Sequence, residues 1–565
     1  MMGITTRSDR RWLVGVPLFF AVGCSGSIAG EGGSNVGGSG SVGGMNEKPG
    51  TGGTTALPAP VGARSFLALR PLTRVEYNNT VLDLLGDTAF AGDAFPSESA
   101  ASTGFAQVQK VDEVNVGLYF DAAEAIASRS VTRLPSLFGC DPAGNAEMDC
   151  ISRFVSSFGR RAYRRPITAE EIAEYLAFYK NELRGTLKLS AGDASKALVA
   201  TFLQSPFFLY RWENAWNAEK DGSGVRLGAF HLASQLSYFI WASMPDEELM
   251  KAAENNELNH TTQIKTQVRR MLAHVKAERS VASFAEQWMG VSALSGALRS
   301  QAGWDPILAR AMVVEIQRFV SDTLLVGDAT LETLFSSRQS TVGGPLAALY
   351  GVGDKAAPSR SITLPDTERR GILTLAGVMA AHSDENESSP ILRGKFIREH
   401  VMCDLIPPPP GDVPDLDPPR PGLSKKERFA MHRMGACSAC HELMDPIGFG
   451  FEHYDNVGKF RVTDNNAPVD STGSVSNLDG NDQTFASALE LTGLLAKSPQ
   501  VAECLMRQFF RFGLAKNEGD RDEDSLSEIF AGFRKGGFDI REMLVALLTS
   551  EIVTHRMPNA EEVLP

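Results

Sequence analysis

The sequence predicts a mainly α-helical fold with several domains and few short strands. Apolar residues recur every three to four positions through most of the chain, which is the period of an amphipathic helix. Several of these runs begin with Ser or Thr three residues before Glu, the capping-box spacing that starts a helix. With 565 residues, 43% of them hydrophobic, the chain is long enough for three or four domains with cores of their own.

The first 24 residues predict an export signal that ends at a lipidation site. An apolar run over 12–22 follows three arginines and is too short to span a membrane as a mature helix. It ends in Ala21-Val-Gly-Cys24, which resembles the lipobox of bacterial lipoproteins, with alanine where leucine is usual. The resemblance implies that Cys24 is the lipidated N-terminus and that Ser25 directs it to the outer membrane of a Gram-negative cell. An ordinary cleaved signal peptide is the alternative, and both place the protein in the cell envelope or periplasm.

Residues 25–60 predict a flexible tether between this anchor and the folded body. Gly, Ser, Thr and Asn dominate the segment, so few apolar side chains can offset the entropy of ordering it. No later segment contains 18 uninterrupted apolar residues. The lipid anchor is therefore the membrane attachment that we expect.

After the tether we expect five segments, four helical domains and one that carries a cysteine motif, at 61–135, 140–213, 225–365, 368–465 and 478–555. Capping boxes begin helices in three of them: Thr73 with Glu76, Thr168 with Glu171, and Ser424 with Glu427. Within the fourth segment, 406–421 is rich in proline and predicts a stiff connector in place of a helix. Turns and short strands are expected around 470–473.

Cys437-Ser-Ala-Cys440-His441 is a CxxCH motif, which in an exported chain is typical of covalent attachment of a c-type haem. Thiols three residues apart lie on one face of a helix and can reach both vinyl groups of one porphyrin. The motif predicts one covalent haem c on Cys437 and Cys440, with His441 as the proximal iron ligand. Two alternatives stay open: a CxxC disulfide beside a histidine, and half of a zinc site whose second ligand pair the sequence does not show.

The remaining cysteines form an even set, which in an oxidising compartment predicts disulfides. Cys140 and Cys150 flank a polar, turn-rich loop that a local bridge would close. Cys403 and Cys504 would tie the segment before the haem motif to a helix after it. Free buried thiols are the alternative for this second pair.

The other side of the iron decides what a haem does, because a sixth ligand closes the site and an open position admits oxygen or peroxide. Met506 and His382 are the candidate distal ligands, with core packing and a surface histidine as their respective alternatives. Phe449 is expected to form part of an apolar haem wall. Asp445 before Pro446 is predicted to form a turn.

Ordered stretches of the chain resemble one multi-domain family of secreted bacterial proteins, common in planctomycetes and myxobacteria and without an established activity. Its parts are domains of unknown function 1587, 1595, 1592, 1588 and 1585. The matching stretches are 71–79, 158–166, 233–241, 389–394, 437–458 and 511–514. In this family the CxxCH run continues with an Asp-Pro-x-Gly-Phe element and a Glu-x-x-Asp-x-x-Gly element, matched here by 445–449 and by Glu452, Asp455 and Gly458. The resemblance implies a cytochrome-like protein.

The leading functional hypothesis is an exported monohaem c-type cytochrome-like lipoprotein that transfers electrons with a redox partner protein or a quinone-linked chain. A haem-dependent oxidative enzyme acting on extracellular polymer or a small organic substrate is the first alternative. A structural or binding module with a CxxC disulfide is the second. The net charge of −13 argues against nucleic acid as a partner, since phosphate binding needs a basic face.

Overall fold

The computed structural model describes residues 70–100, 102–107, 111–211, 219–221, 224–301, 303–407, 420–429 and 438–556. Helices dominate this part of the chain, so the predicted mainly α fold is confirmed. Cys24, the tether 25–60, most of the connector 406–421 and Cys437 lie outside the described residues.

Seven helices make up the N-terminal part, and two of them begin at the predicted capping boxes. Thr73 and Thr168 each accept a hydrogen bond from the backbone N–H of the glutamate three residues on, and that glutamate bonds back to the cap. The helices are α1 Arg74–Leu85, α2 Glu113–Arg129, α3 Leu134–Phe138, α4 Glu147–Tyr163, α5 Ala169–Ala177, α6 Ala191–Gln204 and α7 Pro206–Leu209.

Nine helices follow up to the proline-rich connector. They are α8 Ala229–Trp241, α9 Glu247–Glu254, α10 Thr261–Leu272, α11 Ala277–Trp288, α12 Pro306–Ser321, α13 Leu331–Ser336, α14 Gly344–Leu349, α15 Ala376–Ala381 and α16 Pro390–Phe396. A π-helical turn, Ile397–Val401, continues α16. The apolar run over 262–293 reads as one helix in sequence, but the structure has two, α10 and α11, separated by turns at 273–276.

The C-terminal part carries α17 Lys425–Phe429, α18 Ser438–Phe449, α19 Ala488–Leu495, α20 Pro499–Leu514, α21 Glu523–Lys535, α22 Ile540–Thr549 and α23 Glu551–Thr554. Ser424 caps α17 through a reciprocal pair of bonds with Glu427, as its capping box predicts. Within the described residues no helix has the length and apolar character needed to cross a bilayer.

The strands are short and antiparallel. Pairs form between β1 Arg70–Pro71 and β4 Tyr210–Arg211, β2 Ser99–Ala100 and β3 Ala106–Gln107, β7 Gln339–Val342 and β8 Arg360–Thr363, β9 Thr463–Asp464 and β10 Ala467–Pro468, and β11 Gly473–Leu478 and β12 Asn481–Phe485. β6 Gly224–Arg226 lies between β5 Glu219–Asp221 and β13 His555–Arg556 in a three-stranded sheet.

Buried apolar side chains form two cores. The first gathers side chains from α1 to α7, and the second gathers those from α8 to α23. Helix α8 contributes to both, with Tyr238 in the first core and Leu236 and Phe239 in the second. Tyr238 Oη and Thr80 Oγ1 share a hydrogen bond of 3.0 Å across the boundary. The second core carries α16 and α18, and therefore the described part of the CxxCH motif.

Both predicted disulfides are present. Cys140 and Cys150 have Cα atoms 5.8 Å apart, and Cys403 and Cys504 have Cα atoms 5.4 Å apart. The second bridge joins the end of the α16 segment to α20, with 101 residues between its cysteines.

Candidate functional site

The first turn of α18 carries the described part of the CxxCH motif. Cys440 is partly exposed and is not in a disulfide bond. The next residue, His441, is buried, with 9% of its surface exposed. The thiol is therefore accessible to a cofactor, while the imidazole is held against the protein interior.

His441 pairs with a carboxylate one turn along the same helix. Its Nδ1 lies 3.1 Å from Oδ1 and 3.0 Å from Oδ2 of Asp445, whose side chain is fully buried. With Asp445 in its ionised form, which only accepts, Nδ1 is the nitrogen that carries the proton and donates it. The prediction that Asp445 forms a turn is wrong, because α18 continues through Pro446 to Phe449. The i, i+4 spacing of His441 and Asp445 on a helix could have revealed the pair.

Glycines set the position of α18 by letting backbones approach closely. A Cβ atom on Gly448 would lie 1.9 Å from the carbonyl oxygen of Pro390, and one on Gly394 would lie 2.0 Å from that of Met444. These two contacts are where α16 and α18 cross. Since any side chain would force the helices apart, both glycines are required for the observed placement of His441.

Arg393 on α16 holds the chain that follows α18. Its guanidinium is fully buried, and it donates to the carbonyl oxygens of Phe451, Tyr454, Asp455 and Met379 and to Ser383 Oγ. Burial lowers the pKa of Arg393 to about 10, and the nearby Glu452 partly offsets this. The 389–394 stretch that resembles the family therefore contains a residue whose contacts are structural.

The second family element is structural as well. Asp455 Oδ1 accepts from the backbone N–H groups of Val457 and Lys459 and closes a tight turn. Gly458 has φ +75°, and a Cβ there would meet the Ala376 carbonyl oxygen at 2.3 Å. The buried Glu452 accepts from Ser388 Oγ and Arg461. The Glu-x-x-Asp-x-x-Gly spacing thus specifies a turn and an ion pair.

Helix α17 lies against the far end of α18. Phe429 contacts the buried Phe449 edge-on, with ring centroids 6.1 Å apart, and Lys426 Nζ lies 5.7 Å from the Phe449 ring centre. On the same short helix, Arg428 is buried and donates from Nη2 to Glu387 Oε2 at 2.5 Å. Its Nε and Nη1 are buried without a hydrogen-bond partner.

The structure gives His382 another role than iron ligation. Its Nε2 bonds to the carbonyl oxygen of Met289 at 3.0 Å, and its ring stacks on Phe396 at 3.9 Å. Burial lowers the pKa of His382 to about 3, so the ring is neutral. The alternative of a surface histidine is wrong, because the side chain packs against Phe396 and bonds to Met289, while its role as a distal ligand stays a prediction. Met506 is fully buried in the second core, on α20.

The Cys403–Cys504 disulfide brings α20 close to the end of the α16 segment, as predicted. Gln508, one turn after Cys504, donates to the carbonyl oxygen of His400 at 3.1 Å. Trp288 Nε1 donates to the same oxygen at 2.9 Å. The bridge therefore closes a junction between α11, α16 and α20, and no contact to His441 is part of that junction.

A polar cavity of about 410 Å³ opens beside the turn that follows α18. Its lining is mostly charged and amide side chains with Phe460 as the aromatic one: Gln301, Asn386, Glu387, Asp455, Asn456, Lys459, Arg461, Asp464 and Asn465. This is unlike the dry apolar wall that a porphyrin needs. Among the described side chains no three of His, Cys, Asp and Glu gather as a metal site.

Three observations fit a haem at the motif. Cys440 is partly exposed and not in a disulfide, His441 is held through Nδ1 in the way that metal-binding histidines commonly are, and Arg428 is a buried cation with two unbonded nitrogens. Phe449 is buried at the other end of the helix, and its role in a haem wall stays a prediction.

Five family models match the chain in order, each described as a protein of unknown function. DUF1587 matches 70–132, DUF1595 matches 150–213, DUF1592 matches 227–352, DUF1588 matches 369–464 and DUF1585 matches 481–553. The chain belongs to this five-domain family. Its DUF1588 domain contains the CxxCH motif, α16 and Arg428. No curated protein and no solved structure matches the chain.

Proposed function

We propose that this member of the five-domain family is an exported monohaem c-type cytochrome-like lipoprotein that transfers electrons at the periplasmic or outer-membrane surface. The observation that carries the proposal is the His441–Asp445 pair beside the accessible Cys440 thiol. Metal-binding histidines commonly donate their second ring N–H to a carboxylate, which holds the tautomer and orientation of the ring.

Each residue has a defined task in this proposal. Cys437 and Cys440 hold the haem covalently, and His441 binds the iron through Nε2. Asp445 keeps the proton on Nδ1 and prevents the ring from rotating. The bound haem supplies a one-electron carrier whose potential is set by its ligands and surroundings. Cys24 anchors the chain in the membrane through lipid, and the partner is a redox protein or a quinone-linked chain.

A haem-dependent oxidative enzyme is the second candidate, and the same pair favours it. A carboxylate on Nδ1 makes imidazole a more basic ligand, which stabilises the oxidised metal. In addition, His382 is engaged with Met289 and is not a distal ligand in the described structure. Its substrate would be extracellular polymer or a small organic molecule bound by the helical body.

The test is to express the full chain together with a cytochrome c maturation system and to stain the denatured protein for haem. Wild type and the control Ser438→Ala, which changes a residue between the two motif cysteines, should stain. Cys437→Ser with Cys440→Ser should not. A wild-type protein that has the mass of the processed, unmodified chain would refute the haem assignment.

Absorption spectra of the same preparation separate the two candidates. A low-spin spectrum unchanged by cyanide indicates a closed electron carrier, whereas a high-spin spectrum that cyanide shifts indicates an open enzyme site. In Asp445→Asn the midpoint potential should rise, because a neutral amide no longer stabilises the oxidised iron.

A further inference from the structure

We propose that Arg428 is the anion-binding residue of this domain and that its ligand is a propionate carboxylate of the haem. The proposal rests on the haem assignment above and adds a site residue outside the CxxCH motif.

Arg428 differs from the other buried arginines by the number of its unused donors. Its side chain is 3% exposed, and two guanidinium nitrogens, Nε and Nη1, are buried without acceptors. Arg393 also has an unpartnered Nε, but both of its Nη atoms are bonded. Among the described residues, Arg428 is the one arginine with a buried Nη atom that has no acceptor.

Among the described residues, the ion pairs around Arg428 contain one more cation than carboxylates. Four cations and three carboxylates are connected by contacts of 4 Å or less: Arg393, Lys425, Arg428 and Arg461 with Glu387, Glu452 and Asp464. Arg428 stands at the edge of this cluster and reaches one carboxylate oxygen, Glu387 Oε2. Lys425 Nζ uses the same oxygen at 2.8 Å.

An arginine cannot relieve this shortage by losing a proton, because its pKa is above 12 in water and the guanidinium stays charged. Burying two cations against one shared carboxylate oxygen is costly, so a site of this kind is completed by an anion. Carboxylates suit it well, since charge-assisted bonds from guanidinium to carboxylate are short and strong.

The stretch of sequence that joins Arg428 to the motif does not supply that carboxylate. From Arg428 to His441 the sequence contains no Asp or Glu, and Arg433 adds a further cation. Helix α17 nevertheless packs on α18 through Phe429 and Phe449. The helix that carries Arg428 therefore contacts the helix that carries Cys440 and His441. A haem attached at Cys440 brings two propionate carboxylates to this pair of helices.

The experiment measures the midpoint potential of the haem-loaded full chain in wild type, Arg428→Met and the matched control Lys426→Met. Lys426 lies on the same helix, is partly exposed and is paired with Asp470 at 2.8 Å. Removing a cation next to a propionate disfavours the added electron, so Arg428→Met should lower the potential. The shift should persist at high salt because the charge is buried, whereas any effect of Lys426→Met should be screened.

If Arg428→Met does not fold, Arg428→Gln replaces it, since glutamine keeps a donor for Glu387. A second measurement tests whether the ligand of Arg428 is a free anion in place of a propionate. The melting temperature of the haem-free Cys437→Ser, Cys440→Ser protein is compared in chloride and in inorganic phosphate at equal ionic strength. Stabilisation by phosphate that Arg428→Met abolishes, together with an unchanged potential, would assign the site to a free anion and overturn the propionate role.

The outcomes also separate this proposal from the haem assignment. Wild-type protein without haem overturns both. Haem-loaded protein in which Arg428→Met leaves the potential at the wild-type value, at low and high salt, overturns the role of Arg428 alone.

Discussion

Arg393 and Arg428 are both buried in the DUF1588 domain, but their surroundings differ. Arg393, at the crossing of α16 and α18, is enclosed by backbone carbonyl oxygens from two stretches of chain. Arg428, on the approach to the motif cysteines, shares a single carboxylate oxygen with Lys425. A buried charge whose terminal nitrogens are bonded by the fold is part of the scaffold. One with too few acceptors marks a place where the fold is completed by something else.

The largest expected difference is in the free energy of unfolding of Arg393→Met and Arg428→Met, compared in haem-free protein. Removing Arg393 takes away the guanidinium bonds to four carbonyl oxygens and the buried counter-charge of Glu452, so we expect a loss of about 3–5 kcal/mol in the free energy of unfolding. Arg428→Met removes a charge that is poorly compensated and should change it by less than about 1 kcal/mol. Urea denaturation followed by circular dichroism measures both. Equal losses would show that the two arginines play the same structural role.

A buried carboxylate extends the comparison, because it can bind a proton and become neutral, whereas arginine stays charged. Glu315 on α12 accepts from Ser340 Oγ and Tyr350 Oη. Burial raises its pKa from 4.5 to about 7, against these hydrogen bonds and the charge of Arg369. The folded state thus holds the proton more tightly than the unfolded state. This stability is complete below pH about 4.5 and is lost as the pH rises through about 7.

We therefore expect wild type to lose about 3 kcal/mol of unfolding free energy relative to Glu315→Gln between pH 5 and pH 8. Urea denaturation of both proteins at the two pH values gives the difference. Parallel pH profiles for the two would show that Glu315 does not titrate in this range.

The smallest effect concerns the helix crossing itself. Gly448→Ala should destabilise the fold by about 1–3 kcal/mol, because its Cβ would collide with the Pro390 carbonyl oxygen and push α18 away from α16. Gly493→Ala in α19 is the matched control, since no atom lies within 4 Å of its Cβ position. It should stabilise by about 0.5–1 kcal/mol through helix propensity. Thermal melting distinguishes the signs, and a stabilising Gly448→Ala would contradict the close approach.

Short-range sequence patterns were sufficient to predict part of this structure. The capping boxes at Thr73 and Thr168 and the two disulfides follow from residue spacing and cysteine number. The role of Asp445 was also within reach, because its partner lies four residues earlier on one helix. The acceptors of Arg393 were not, since they are backbone carbonyls over 379–455 that only the tertiary fold brings together. Pro446 wrongly favoured a turn at Asp445. Helix α18 continues through it because tertiary packing overrides local propensity.

The Cys403–Cys504 bridge has a consequence for how the chain is made. Cys403 is synthesised 101 residues before its partner, and the motif cysteines Cys437 and Cys440 emerge in between. At usual rates of synthesis, about 3–13 s pass between the emergence of Cys437 and that of Cys504, and during this time the motif cysteines can pair wrongly with Cys403. Four thiols pair in three ways, and two of those join the motif cysteines to Cys403 and Cys504. In an oxidising compartment, correct folding of the body therefore depends on the motif thiols being occupied or kept reduced until Cys504 arrives.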